Sequence, residues 1–561
     1  MVSGSTPTPG PIITTADTVV LSNNTKFITT SGGAAPAGNT VFNVNNLRVN
    51  INQDGTPMTS AARANRVFLN SPSGRADSTG GAPGTVTISG IGPESTDPAK
   101  LVALYNAQMS TGTVGGSSGL PPGRITITAD TMNMSGGTHI FSFTSGPAPA
   151  GNIVLNINQL RANVNPDGTV IDGQVFAQIT SESIGSNSIP TPKGAVPISD
   201  VPGRAGTVTI SGLGPESTDA AGLIALNNTR LSTLVRGGSA AATPATITVT
   251  ADTVSLANSP NITTESNGAA PAGHLTFNVN NLTVDHATKI SSGTSGSGLG
   301  GTITITAGQS VTLNNESSVS ASSTDTGKAG NISINAGQQL DIMGNSSVKT
   351  EAAQASGGNI DIQAVDRVRL VNSSISTSVL GGVGSGGNIT IDPNVVVLQN
   401  SQVIAQAIQG AGGNITITTP LFLADTSSLV SASSQIGLNG TVTIQSPTSN
   451  LSGSLGPLTS KPSQAQTLLT QRCAALASGQ TSSFVVAGRE RLPADPGGWL
   501  NSPIALASLG ENLDTGYAVA AGPANMPMAA QDTGTVSLRR LTPAGFLMAN
   551  FADSEATGCH S

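Results

Sequence analysis

Isoleucine, valine and leucine return along this chain in pairs two positions apart, with Ser, Thr or Asp between the members of each pair. The clearest pairs follow a Gly-Asn step: Gly330-Asn-Ile-Ser-Ile, Gly358-Asn-Ile-Asp-Ile, Gly387-Asn-Ile-Thr-Ile and Gly413-Asn-Ile-Thr-Ile. Alternation of this kind buries one side of a β-strand and wets the other. From Gly273 through Gly301, Gly330, Gly358, Gly387 and Gly413 to Gly440 the anchors are 28, 29, 28, 29, 26 and 27 residues apart. A unit this short cannot bury its own apolar face, so neighbouring units must stack, and the spacing predicts a solenoid.

Each repeat predicts three short strands. In the repeat opening at Gly358, Ile360 and Ile362 form the first apolar pair and Val368 and Leu370 the second; Ile375 begins the third after the polar corner Asn372-Ser-Ser. Leu340, Ile342 and Val348 occupy the same places one repeat earlier. The expectation is an all-β fold, a single-stranded right-handed parallel β-helix of about 28 residues per coil.

The first half carries the same coil with insertions. Anchors at Gly10, Gly38, Gly84, Gly123, Gly151, Gly206 and the replaced Ala245 are spaced 28, 46, 39, 28, 55 and 39 residues apart. A three-coil unit has been duplicated: Ala16-Asp-Thr returns as Ala129-Asp-Thr, and Gly84-Thr-Val-Thr-Ile-Ser-Gly as Gly206-Thr-Val-Thr-Ile-Ser-Gly. The surplus must leave as loops, which a solenoid tolerates on its flanks. The reading thus divides the chain into a β-helix over 1–446, with the duplicated units over 10–245 and regular coils over 246–446. A C-terminal cap and Pro/Gly-rich tail follow over 447–561, with a short helix over Gln464–Ala477. Thirteen steps of about 4.8 Å give a solenoid on the order of 60 Å long.

Composition agrees: 68 Gly, 2% aromatic and 9% charged residues suit tight turns and Ser/Thr-covered strands. A net charge of −7 gives no electrostatic basis for holding nucleic acid or an anionic membrane. No apolar run reaches the length of a membrane span, and Met1-Val-Ser-Gly-Ser has neither the basic nor the apolar region of a signal peptide.

After the coils come Thr470-Gln-Arg-Cys-Ala-Ala and Ser482-Ser-Phe-Val-Val-Ala-Gly-Arg-Glu-Arg-Leu-Pro-Ala-Asp-Pro. With the tandem Gly-Asn-Ile-Thr-Ile coils, this tail resembles the C-terminal part of filamentous-haemagglutinin-type two-partner secretion exoproteins of Gram-negative bacteria. The resemblance covers roughly Gly10 to Pro496. It implies a secreted, cell-surface β-helical protein at the outer membrane, exported by a dedicated β-barrel transporter and acting in adhesion or aggregation. Its partners would be a cell-surface or matrix ligand, or further copies of itself. The family's signal peptide and Asn-Pro-Asn-Gly secretion motif are missing, since Asn165-Pro-Asp-Gly is a turn inside the duplicated unit. A truncated or split member is expected.

Candidate chemistry is sparse. The Gly-Pro-Glu-Ser-Thr-Asp loops place Glu94 with Asp97 and Glu216 with Asp219 on protruding copies, where they either recognise a partner or are turns copied with their coils. Asp17, Asp130 and Asp252 each lie seven residues past an anchor, at an expected corner where an Asp side chain either binds calcium or bonds turn amides, and the missing Gly-Gly-x-Gly-x-Asp spacing of calcium-binding β-rolls favours the amides. Asp341 and Arg369, each 11 residues past an anchor, should face each other as a surface ion pair. His139, His274, His286 and His560 are scattered, so no metal site and no cofactor are expected. Cys473 and Cys559 either close an 86-residue disulfide loop over the cap or remain free thiols. No surface aromatics for sugar stacking are expected, the one Trp, Trp499, lying in the tail. These features favour a non-enzymatic adhesive protein, with a carbohydrate-active β-helix enzyme or a self-assembling surface-layer component as the alternatives.

Overall fold

The computed structural model describes residues 10–32, 34–58, 61–74, 80–92, 97–171, 175–184, 203–213, 219–240, 242–447, 540–541 and 546–547. The chain forms two units, Met1–Ser460 and Lys461–Ser561. In the second, the described residues are an antiparallel pair, Arg540–Leu541 with Phe546–Leu547. The expected cap helix, Cys473 and Cys559 lie outside the described residues.

The first unit is a parallel β-solenoid of about 14 turns, here numbered coils 1 to 14 from the anchors Gly10 to Gly440. Its strands build two parallel sheets, a front sheet of 20 strands and a back sheet of 13. The first and second apolar pairs of each coil lie in the front sheet and the third strand in the back sheet. Between them the aliphatic side chains form one continuous core from Leu21 to Ala432, with Phe42 and Phe277 among its largest fully buried members. At roughly 1.5–3 kcal/mol for each buried aliphatic side chain, this column offsets the entropy of ordering so glycine-rich a chain.

Each letter of Gly-Asn-Ile-Thr-Ile has a structural reason. A side chain on Gly358 would overlap the carbonyl oxygen of Gly330 in the coil before, and one on Gly387 that of Gly358, so stacked backbones admit only glycine there. Ala245 is tolerated because its methyl packs with Ala205, Val235 and Ala270. The following Asn accepts a hydrogen bond from the next coil: the Asn388 N–H donates to Asn359 Oδ1 and the Asn414 N–H to Asn388 Oδ1, both at 2.9 Å. The Ile pairs point inward and Thr outward, as in Ile389–Asp392.

The polar corner before the third strand also repeats. Asn50, Asn106, Asn163, Asn228, Asn258, Asn315, Asn345, Asn372 and Asn400 all have positive φ, a left-handed conformation that Asn tolerates better than other side chains. Just inside the back sheet, Thr29, Ser71, Thr111, Ser142, Ser181, Thr233, Thr264 and Ser292 follow each other in register as a buried hydroxyl column. Several of these hydroxyls donate to anchor carbonyls, as Thr29 does to Gly38 and Thr111 to Gly84 at 2.6 Å, and Ser292 to Gly273 at 2.7 Å. Most hydroxyls buried this way are satisfied by a neighbouring coil, whereas Thr233 Oγ1 is buried without a hydrogen-bond partner.

One expectation needs refinement. In coils 1, 2, 4, 5, 7, 8 and 9 the first two strands fuse into one, such as Ile12–Leu21, Arg124–Ser135 and Ile303–Leu313. They stay separate in coils 10 to 13; Gly337 with positive φ interrupts the extended backbone in coil 10, Pro393 in coil 12 and Pro420 in coil 13. They also separate in coils 3 and 6, where a loop leaves between Thr85–Ser89 and Ala99–Tyr105 and again between Val208–Ser211 and Ala221–Asn227.

Candidate binding surface

The duplicated hexapeptide loops leave the front sheet through identical necks. The Gly90 N–H donates to the Asp97 carbonyl at 2.6 Å, and the Gly212 N–H to the Asp219 carbonyl at 2.7 Å. Asp97 and Asp219 are exposed at these necks. Glu94 and Glu216 lie outside the described residues.

The recurrent Asp residues sit at an elbow inside the fused strands rather than at a turn. Asp17 and Thr18 both face outward between Ala16 and the core-packed Val19, and the strand pairing skips Asp17, Asp130 and Asp252 alike. Their partners are carboxamides of the next coil rather than turn amides: Asn45 donates to Asp17 at 2.7 Å, Asn158 to Asp130 at 3.0 Å and Asn280 to Asp252 at 2.5 Å. Donation from Asn45 and then Thr18 holds the Asp17 carboxyl below its usual range.

The expected ion pair also changes partner. Asp341 stands opposite Arg369 in register, yet its carboxylate is taken by Arg367, with Nη2 to Oδ2 at 2.9 Å and Nε to Oδ1 at 3.3 Å. A diagonal neighbour lies within reach of a long side chain, and a guanidinium gains a second hydrogen bond by approaching a carboxylate edge-on. Arg369 instead donates to Gln399 at 3.5 Å.

The outer wall of the back sheet carries what sequence reasoning missed. In coil 4 the strand His139–Ser145 buries Ile140 and Ser142 and turns His139, Phe141 and Phe143 outward. Their rings form a row across the wall: His139 stacks on Phe141 at 4.3 Å between centroids, and Phe141 on Phe143 at 5.7 Å. Phe143 lies against Gly112 of coil 3, where any side chain would strike the ring. Phe68 of coil 2 also faces outward, and Phe176 is exposed just before the back-sheet strand of coil 5. The expected absence of surface aromatics is therefore corrected. The available signal was the run His-Ile-Phe-Ser-Phe-Thr, whose Phe residues must face out once Ile140 faces in.

Charged groups follow this row along the axis. Phe143 is in register with Glu182, Glu182 with Leu234, Leu234 with Glu265, and Glu265 with Gly293. Burial pushes the Glu182 carboxyl up, while Arg236 and Arg230 pull it partly back and Glu265 adds to the rise. Among the described residues neither arginine closes to an ion pair with it. Burial, with Arg66 and Arg230 nearby, pushes His139 down to about 4, so its imidazole is neutral near pH 7. Beyond Arg236 an open groove of about 400 Å³ runs over Glu265, Gly293 and Ser322. A second, of about 680 Å³, follows the elbow of coils 10 to 14 past Asn335, Gln363, Asp392 and Pro420.

Among the described residues no group of three His, Cys, Asp or Glu side chains is placed to hold a metal ion, and no helix is long and apolar enough to cross a membrane. Compared with protein-family models, curated proteins and solved structures, the chain matches none. The class defined by fold and surface is a parallel β-solenoid with one aromatic and charged wall.

Proposed function

We propose that this chain is the β-helical part of a two-partner secretion exoprotein, carried across the outer membrane by a β-barrel transporter and acting at the cell surface in adhesion or aggregation. The observation that carries the reading is the continuous solenoid, a scaffold that displays side chains at fixed intervals along extended walls and fits a structural or adhesive role. The Thr470-Gln-Arg-Cys and Gly-Arg-Glu-Arg-Leu-Pro segments support the family. Beads coated with the purified chain should clump or adhere to bacterial cells; beads that do neither contradict adhesion. Joined to the signal peptide and secretion domain of a two-partner system and co-expressed with that system's transporter, the chain should become sensitive to external protease on intact cells, and protection would count against export.

A carbohydrate-active enzyme has one observation in its favour. Glu182 and Glu265 lie two coils apart on one register line, roughly 10 Å between backbone positions, beside Arg236. Reducing ends released from a polysaccharide by the wild type and not by Glu182→Gln would establish that reading.

A further inference from the structure

We propose that the outer wall of the back sheet over coils 4 to 9 is a trough for a neutral polysaccharide laid along the solenoid axis. The proposal deepens the adhesive reading and rests on it.

Three observations converge here. The first is the order of chemistry along one register line: the ring of Phe143, then Glu182, Leu234, Glu265, the notch at Gly293 and Ser322. Five steps of about 4.8 Å give a track of roughly 24 Å, long enough for several sugars of an extended chain. Sugar C–H faces pack on aromatic rings, and sugar hydroxyls both donate and accept, which suits carboxylates interleaved with the donors Arg236 and Arg230. A polyanion would meet Glu182 and Glu265 along the floor, and a polycation would meet the arginines.

The second is where chain length is added beside the wall. Within coils 4 to 9 the extra residues enter the sequence between Asn152–Ala162 and the back-sheet strand Ala177–Ile184, between Ala177–Ile184 and Val208–Ser211, and between the back-sheet strand Thr229–Val235 and Thr246–Ala257. Regular coils 8 to 13 carry no such insertions.

The third is the way the duplicated copies diverge on this wall. At the front, Thr85-Val-Thr-Ile-Ser and Thr207-Val-Thr-Ile-Ser are identical, and Asp17 with Asn45 matches Asp130 with Asn158. On the back wall, Lys26 and Ile28 of the first copy are replaced by His139 and Phe141, Pro72 by Glu182, and Gln108 by Arg230. Inward positions keep their aliphatic or thioether character, as Leu69 with Ile179 and Met109 with Leu231. The front differs as well, Ile13 standing where the second copy has Thr126 and Val20 where it has Asn133, but the differences on the back wall are the ones that set ring faces and a carboxylate beside arginines.

The test measures retention of the full chain on immobilised dextran, mannan and a mixed-linkage β-glucan, with polygalacturonate as the charged comparison. At least one neutral polymer should retain it, at both low and high salt. Phe143→Ala and Glu182→Gln should each weaken that binding by about tenfold or more, while Lys349→Ala, on the wall of coil 10, should leave it unchanged. Glu182→Gln preserves side-chain volume and keeps the test decisive if Phe143→Ala unfolds. Binding to no neutral polymer, binding only to polygalacturonate with loss in high salt, or binding indifferent to Glu182→Gln would each overturn the proposal. Bead clumping measured in parallel separates the two readings. Clumping without polysaccharide binding removes the trough alone, and polysaccharide binding without clumping or cell adhesion removes the adhesive role alone.

Discussion

A methyl group at Gly358 has no space to occupy, because the carbonyl of Gly330 already stands there. Gly358→Ala should therefore destabilise the solenoid by about 1–3 kcal/mol in chemical denaturation. Gly10→Ala, where nothing lies within 4 Å of the added carbon, should stay within about 0.5 kcal/mol of wild type. An equal effect at both would contradict stacked anchors. The Gly and Ile letters of the repeat were legible in the sequence, because periodic apolar pairs leave one way to bury them. The partner of Asp341 was not: register assigns it Arg369, and only side-chain reach selects Arg367. A double-mutant cycle between Asp341 and Arg367 should give a coupling of about 1 kcal/mol, and one between Asp341 and Arg369 less than about 0.3. Couplings in the reverse order would restore the sequence-based pairing.

At the scale of strands, pair spacing revealed where strands lie but not where they join. Ala16-Asp-Thr runs straight through, whereas Pro393 and Pro420 break the equivalent elbow, and stacking carries each choice into the coils beside it. The aromatic row on His139–Ser145 escaped notice for a different reason: coil 4 keeps the regular 28-residue step, so the periodicity marks its inward Ile140 and says nothing of what faces out. That row has a pH signature. His139 titrates near 4 in the fold against 6.5 when free, so the unfolded chain binds more protons between these values. Its contribution to stability is complete above about pH 6.5 and is lost as pH falls toward about 4, by on the order of 1–3 kcal/mol. The raised Glu182 acts in the opposite sense, losing stability as pH rises through its own range. Denaturation midpoints for wild type and His139→Gln should therefore diverge between pH 7 and pH 4, with wild type falling more steeply; parallel profiles would show an exposed imidazole.

At the scale of the molecule, the solenoid was legible because fourteen anchors specify fourteen turns, while its working face was not, since any outward wall can carry Ser and Thr. The first half adds chain length between its strands, and the second half continues the scaffold in nearly uninterrupted form. Both rest on successive coils lying in register at one axial spacing. Along the front sheet this line runs Thr209, Thr248, Thr276, Thr304, Ser333, Asp361, Thr390, Thr416 and Thr443. With Cys473 and Cys559 replaced by Ser, nitroxide pairs placed on these positions report the spacing by electron–electron double resonance. Distances from Thr209 should climb in step with coil number, by about 4.8 Å per coil, to roughly 38 Å at Thr443. Distances that fail to grow with coil number would contradict the stacked architecture, and with it the walls from which binding is argued.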